Sequence, residues 1–225
     1  MHQDRVDVGE EVGAKKTFVW VMDWPGWCRG GKAGHLAIDS LVEHGHRYAR
    51  VAAAAGLEAP TDVSPHDLYT VESVPGSAGT DFGVPSAITE LDQRPLDGTD
   101  AARLATIVGA AWAVLDQIAA ATPETLRKGP RGGGRDRDRM LSHVFEADDA
   151  YARQIGLRLP AGTLDDRAAV EAQRAAVLDV LRQPSDGSPI AGRRWPPRYA
   201  ARRIAWHALD HAWEMEARST PDPDP

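Results

Sequence analysis

The stretch from Thr99 to Ala121 constrains this chain most. Leu104, Ile107, Val108, Ala111, Leu115 and Ile118 recur there at intervals of three and four residues, which winds them into one apolar stripe along a helix. Thr99 or Asp100 stands where an N-cap oxygen is expected. Such a stripe has to be covered by partners of the same kind, and the chain supplies three more. The second predicted helix starts near Asp136 and ends before Gly156, turning Met140, Val144, Ala147, Tyr151 and Ile155 inward. A third runs from about Leu164 to Arg182, introduced by Thr163 and stopped by Pro184. The fourth begins after the Trp-Pro-Pro of residues 195–197, where proline suits a first turn, and continues to about Arg218. Four helices of roughly 20 residues, each about 30 Å long, predict a four-helix bundle. Bundles of this kind build metal sites from side chains on facing helices.

Before residue 97 the chain changes character: proline, glycine and β-branched residues punctuate it. The run TFVWVM from Thr17 to Met22 predicts a strand, followed by a Pro-Gly turn in DWPGW. A helix is expected from about Gly34 to Ala55, with Leu36, Leu41, Tyr48 and Val51 among its apolar positions and Gly56 at its C-terminal cap. Asp67 to Val74 predicts a second strand, and the residues from Pro75 to Gly98 an irregular covering loop or linker. The fold class read from the sequence is mainly α, with a small α+β module and linker over 1–97, the four helices over 98–218 and a disordered tail over 219–225. The polar first sixteen residues are expected to fray as well.

A chain of 225 residues can bury a sizeable core. Its net charge of -7 argues against general binding of nucleic acid, which needs a basic footprint. The single cysteine, Cys28, cannot form an internal disulfide. No stretch approaches the roughly 20 apolar residues needed to span a membrane, and the start lacks the apolar core of a signal peptide. A cytoplasmic protein with a small-molecule substrate, either as monomer or homodimer, is the expectation.

Candidate chemistry lies in AWHALDHAWEME, Ala205 to Glu216. His207 and His211 stand four residues apart and so share one helical face. Eight histidines in the chain make a chance pair a serious rival, and a metal site needs a further ligand from another helix. His143, about two turns into the second helix, is the available one. Read from the residues alone it is equally a hydrogen-bonded core or boundary histidine.

MLSHVFEADDAYARQIG (Met140 to Gly156), followed some sixty residues later by IAWHALDHAWEME (Ile204 to Glu216), resembles the DinB/YfiT-like superfamily over about Thr99 to Arg218. That family carries one histidine on the second helix of a four-helix bundle and an H-x-x-x-H pair on the fourth. The resemblance implies that His143, His207 and His211 bind one divalent metal. Three neutral imidazoles leave a coordination position open, and nitrogen donors suit zinc, nickel or iron. It further implies a metal-dependent enzyme, first a transferase using a low-molecular-weight thiol such as mycothiol, second a metal-assisted hydrolase. The competing class is a non-enzymatic ligand-binding or sensing protein with a structural metal or none. Over Thr17 to Val74 the chain resembles the small module of HicB-like proteins, departing where that module has an earlier strand.

Among nearby acids, Glu214 shares the face of His207 and His211, where it would be a fourth ligand, an acceptor for an imidazole N–H or a general base. Glu146 is similarly placed beside His143; Asp210 and Asp148 are less well aligned. The segment RKGPRGGGRDRDR, Arg127 to Arg139, sets six basic residues against Asp136 and Asp138 just before a helix start, a setting that favours anions. It lacks the Walker A pattern, and a solvated loop explains it equally. A second cationic segment, GRRWPPRYAARR, leads into the fourth helix. If the second and fourth helices are parallel, Arg131, Arg135 and Arg194 open on one mouth suited to an anionic ligand; if they are antiparallel, that inference fails. Asp23, Trp24, Trp27 and Cys28 stand where they could line a pocket against the bundle, with the tryptophans expected to be packing residues instead. His35, His44 and His46 sit on or near the predicted helix, and His44 and His46, two apart and so on different faces, are read as surface residues.

Overall fold

The computed structural model describes residues 5–128 and 134–219. It is mainly α, with an α+β module at the N-terminal end. The module holds four strands, β1 (Val6–Val12), β2 (Thr17–Val21), β3 (Cys28–Gly31) and β4 (Leu68–Pro75), in the order β3-β2-β1-β4. β1 pairs antiparallel with β2 and parallel with β4. The polar start that was expected to fray is therefore a central strand. Its register sets Gly9 opposite Trp20, where a Cβ would collide with the indole ring. Its Glu11 is fully buried, accepting hydrogen bonds from the Thr80 hydroxyl and the Ala87 N–H.

The single helix expected over residues 34–55 is two, α1 (Gly34–Glu43) and α2 (Gly45–Ala54), divided at His44. α1 packs on β2 and β3. The Trp27 indole N–H donates to the Leu41 carbonyl at 3.0 Å, and the Trp27 ring stacks on Tyr48 at 5.1 Å. The covering loop contains a short helix, α3 (Ala78–Phe82).

Four long helices follow: α4 (Gly98–Ala121), α5 (Arg137–Gln154), α6 (Arg167–Leu181) and α7 (Pro197–Ser219). α4 is capped by Asp97, whose side chain accepts from the Asp100 N–H, rather than by Thr99 or Asp100. By length and composition it is apolar enough to cross a membrane, with mean hydropathy 1.6 over its most apolar window, which corrects the expectation that no stretch approaches that length. In this fold its stripe is buried against α2, α6 and α7. The expected tail falls mostly in 220–225, outside the described residues.

Direction follows from end contacts. α4 and α7 run parallel: Arg198 reaches Asp100 at 3.3 Å at one end, and Ser219 reaches Thr122 at 3.5 Å at the other. α6 opposes α4, since Arg167 binds Asp116 while Leu178 lies over Gly109. α5 opposes α7: the Arg127 N–H before α5 donates to the Arg218 carbonyl, and Tyr151 near the end of α5 packs on Trp195 just before α7. Residues 155–166 therefore carry the chain back along α5. Twelve residues reach about 40 Å when extended, enough to retrace a helix of about 27 Å.

One contiguous cluster of buried apolar residues extends from Val6 in the module to Met215 in α7. α7 is fixed from the module side in three ways. Trp206 closes a second cluster with Phe18, Trp20 and Cys28. Gly26, at φ +90°, brings the DWPGW turn against Ala205 and Leu209 more closely than any side chain allows. Arg202, buried, holds Asp92 through two hydrogen bonds of 2.5 and 3.2 Å and lies 4.2 Å from the Trp20 ring centre.

Candidate metal centre

With Trp206 turned onto the sheet, the adjacent His207 is buried and faces α5. His207 and His211 meet His143 there. The ring centres lie 4.7 Å apart for His207–His211, 5.0 Å for His143–His211 and 5.1 Å for His143–His207. One ring nitrogen from each falls within 4.8 Å of the others. A metal bonded to a ring nitrogen at about 2.1 Å stands about 3.2 Å from that ring's centre, so rings sharing one ion sit about 4.5 Å apart at right angles and about 5.2 Å apart at tetrahedral angles. All three separations fall within that interval. The donor set fits a divalent metal, and among the described residues it is the group of histidine, cysteine or acidic side chains close enough to hold one.

Protonation favours the same use. Burial, then the neighbouring His211, holds His207 well below the ordinary imidazole range. Burial and the Arg135 guanidinium lower His143 as well. Neutral imidazole is the form that ligates. The His207 Nδ1 is buried with no hydrogen-bond partner, and buried polar atoms left unpaired are costly. Ligation would give that ring the polar contact its packing withholds.

Glu214 lies 3.3 Å from the His211 Nδ1, and Arg218 donates to its other oxygen at 2.8 Å. The bond from His211, and Arg218 behind it, hold this carboxyl below the usual range. Of the three roles open to Glu214, this geometry is that of an acceptor orienting an imidazole. Glu146 is exposed on α5, near enough to His143 to act on its charge. Asp210 turns away to Arg29 at 3.0 Å. Asp148 is buried on another face, 3.8 Å from Arg174.

The antiparallel course of α5 and α7 removes the shared cationic mouth. Arg135 lies before α5, beside the C-terminal half of α7, whereas Arg194 precedes the first turn of α7, so about 20 Å of helix separates them. Arg131 lies outside the described residues. Within the rest of the basic stretch, Lys128 pairs with Asp136 and Arg137 with Asp138.

Two clefts flank the histidines. One, of about 480 Å³, opens between module and α7 and is lined by Arg29, His44, Arg47, Trp213 and Glu214 among others. His44, expected at the surface, is instead half-buried and tilts onto Trp213 at 5.4 Å; His35 and His46 are exposed. The other cleft, of about 350 Å³, includes Tyr151, Arg194, Trp195, Tyr199 and Arg203. Tyr151 meets the His207 ring edge-on at 5.5 Å. Sequence reasoning passed over Arg203, although it stands four residues before His207, on the helical face of the histidine pair. Trp27 packs as expected, and Cys28 is buried, its thiol pushed up to about 12 by burial. Asp23 and Trp24 line a separate surface cleft with Arg103 and Arg198.

No family model, curated protein or solved structure matches this chain.

Proposed function

We propose that this protein is a divalent-metal-dependent enzyme of the DinB-like class, its four long helices forming a four-helix bundle that holds zinc, nickel or iron on His143, His207 and His211. The observation carrying this reading is the convergence of three imidazoles from two helices at the spacing one ion requires. β1 also supplies a strand where the HicB-like likeness of the module lacked one.

A bound divalent ion supplies Lewis acidity that acidifies a water or a thiol near neutral pH. The protein does the rest. Glu214, held by Arg218, fixes the His211 tautomer with Nδ1 as donor and Nε2 free. Burial keeps His207 unprotonated, so protons do not compete for the site. His143 and His211 are only half-buried, which leaves an approach from the groove between α5 and α7. Transfer of a low-molecular-weight thiol of the mycothiol type is the leading activity, and metal-assisted hydrolysis the second.

Elemental analysis of protein purified without added metal tests the centre. About one equivalent is expected, lost in each of His143→Ala, His207→Ala and His211→Ala while circular dichroism stays native. Stoichiometric metal surviving all three substitutions would remove the site. A thiol-consumption assay with mycothiol across electrophiles then separates transfer from hydrolysis.

A further inference from the structure

The two clefts beside the histidines differ in charge. In the cleft against the module, each arginine is already matched: Arg29 binds Asp210 at 3.0 Å, and Arg47 faces Glu216 at 3.6 Å. The cleft beside His207 has no such balance. Arg203 and Arg194 line it, and among the described residues no carboxylate pairs with either. Arg203 is half-buried, its guanidinium 5.3 Å from the Tyr151 ring centre and 4.6 Å from that of Trp206; the Tyr151 hydroxyl is the neutral acceptor beside it, and Nη1 is buried with no hydrogen-bond partner. An arginine held between aromatic rings with a buried donor unused is costly unless something binds it. The rest of the wall is aromatic: Tyr151, Trp195 and Tyr199 meet ring to ring at 5.1 Å. The volume, about 350 Å³, lies within the range of small-molecule sites.

We infer that this cleft is the substrate subsite and that it takes a small carboxylate with a flat apolar body, the carboxylate on Arg203 with Arg194 at the rim. A planar guanidinium matches a carboxylate through two parallel hydrogen bonds, and the aromatic wall takes the body. Tyr151 touches both Arg203 and His207, so the anchored carboxylate lies at the end of the cleft nearest the histidines, and the flat body runs back along the start of α7 over Tyr199 and Trp195. The inference deepens the metal-centre reading and rests on it only for which end of the ligand reacts.

Calorimetric titration with benzoate and its neutral counterpart benzamide tests this, on metal-free and zinc-loaded protein alike. Benzoate is expected to bind both forms and benzamide far more weakly. Arg203→Met, which keeps the aliphatic stem, should weaken benzoate about tenfold to a hundredfold, and Arg203→Lys should restore part of the loss. Thermal melts followed by circular dichroism confirm that each variant is folded; should Arg203→Met be unfolded, the Arg203→Lys and Arg194→Gln titrations and the benzoate–benzamide ratio carry the test. Failure of benzoate to bind, equal binding of benzamide, unchanged affinity in folded Arg203→Met, or inorganic phosphate binding more tightly than benzoate would each overturn the assignment. The two readings fail separately. Protein that takes up no zinc when zinc is offered, yet binds benzoate through Arg203, loses the metal centre alone, whereas protein that takes up one equivalent of zinc but shows no preference for benzoate loses the subsite alone.

Discussion

Asp148 should make this protein less stable as pH rises through the neutral range. Its side chain is 4% exposed, and no hydrogen bond of ordinary geometry reaches either carboxyl oxygen, although the Trp112 indole N–H stands close enough to favour the charged form. The nearest cation, the Arg174 Nε at 3.8 Å, belongs to a guanidinium that already pairs with Asp116 at 2.8 Å. Burial pushes the Asp148 pKa up from 3.8 to about 7 against the pull of Arg174 and the Trp112 indole N–H. The folded state thus holds this proton more tightly than the unfolded chain. The contribution is whole below the unfolded value and is lost as pH rises through the folded one. Each pH unit in that window is worth about 1.36 kcal/mol, so the full loss is about 4 kcal/mol. Asn has the size and neutrality of the protonated acid. Asp148→Asn should therefore nearly match the parent in acid and gain on it with pH, the difference growing by about 3 kcal/mol between about pH 5 and about pH 8. Urea unfolding followed by circular dichroism at several pH values measures that difference, in which the other titrating groups cancel. A difference that stays flat, or moves the other way, would show that Asp148 is solvated or ionised throughout and would refute the reasoning.

Glu214→Gln should lower zinc affinity about tenfold to a hundredfold through the orientation of His211, measured by competition with a chromophoric chelator, with little change in the unfolding midpoint. Arg202→Met should cost about 3–5 kcal/mol in urea unfolding, because the Asp92 carboxylate is left buried and unpaired. Adding Asp92→Asn to that variant should recover most of the loss; no recovery would show that Arg202 acts through its stacking on Trp20 instead.

What the sequence revealed follows from which interactions are local. The stripes of α4 and α5 and the proline start of α7 depend on residues three or four apart, so the long helices could be read with ends misplaced by a few positions. β1 could not, because VDVGEEV has a central glycine and two glutamates. Gly9 is explained by Trp20 across the sheet, and buried Glu11 by Thr80 and Ala87 some seventy residues on. The break at His44 was equally hidden, since Trp213, against which that ring packs, is remote in sequence. The same division runs through the site. His207 and His211 announce themselves by spacing on one helix, and His143 by its place on another. Arg203 is one of five arginines in a twelve-residue segment, indistinguishable there from Arg202, which is spent on Asp92. Only the antiparallel meeting of α5 with α7, fixed by the returning connection over 155–166, sets Tyr151 against His207 and leaves Arg203 unmatched. The proposed metal ligands carry their own signature in their spacing, whereas Arg203, proposed to select the substrate, is marked by the carboxylate partner it lacks among the described residues.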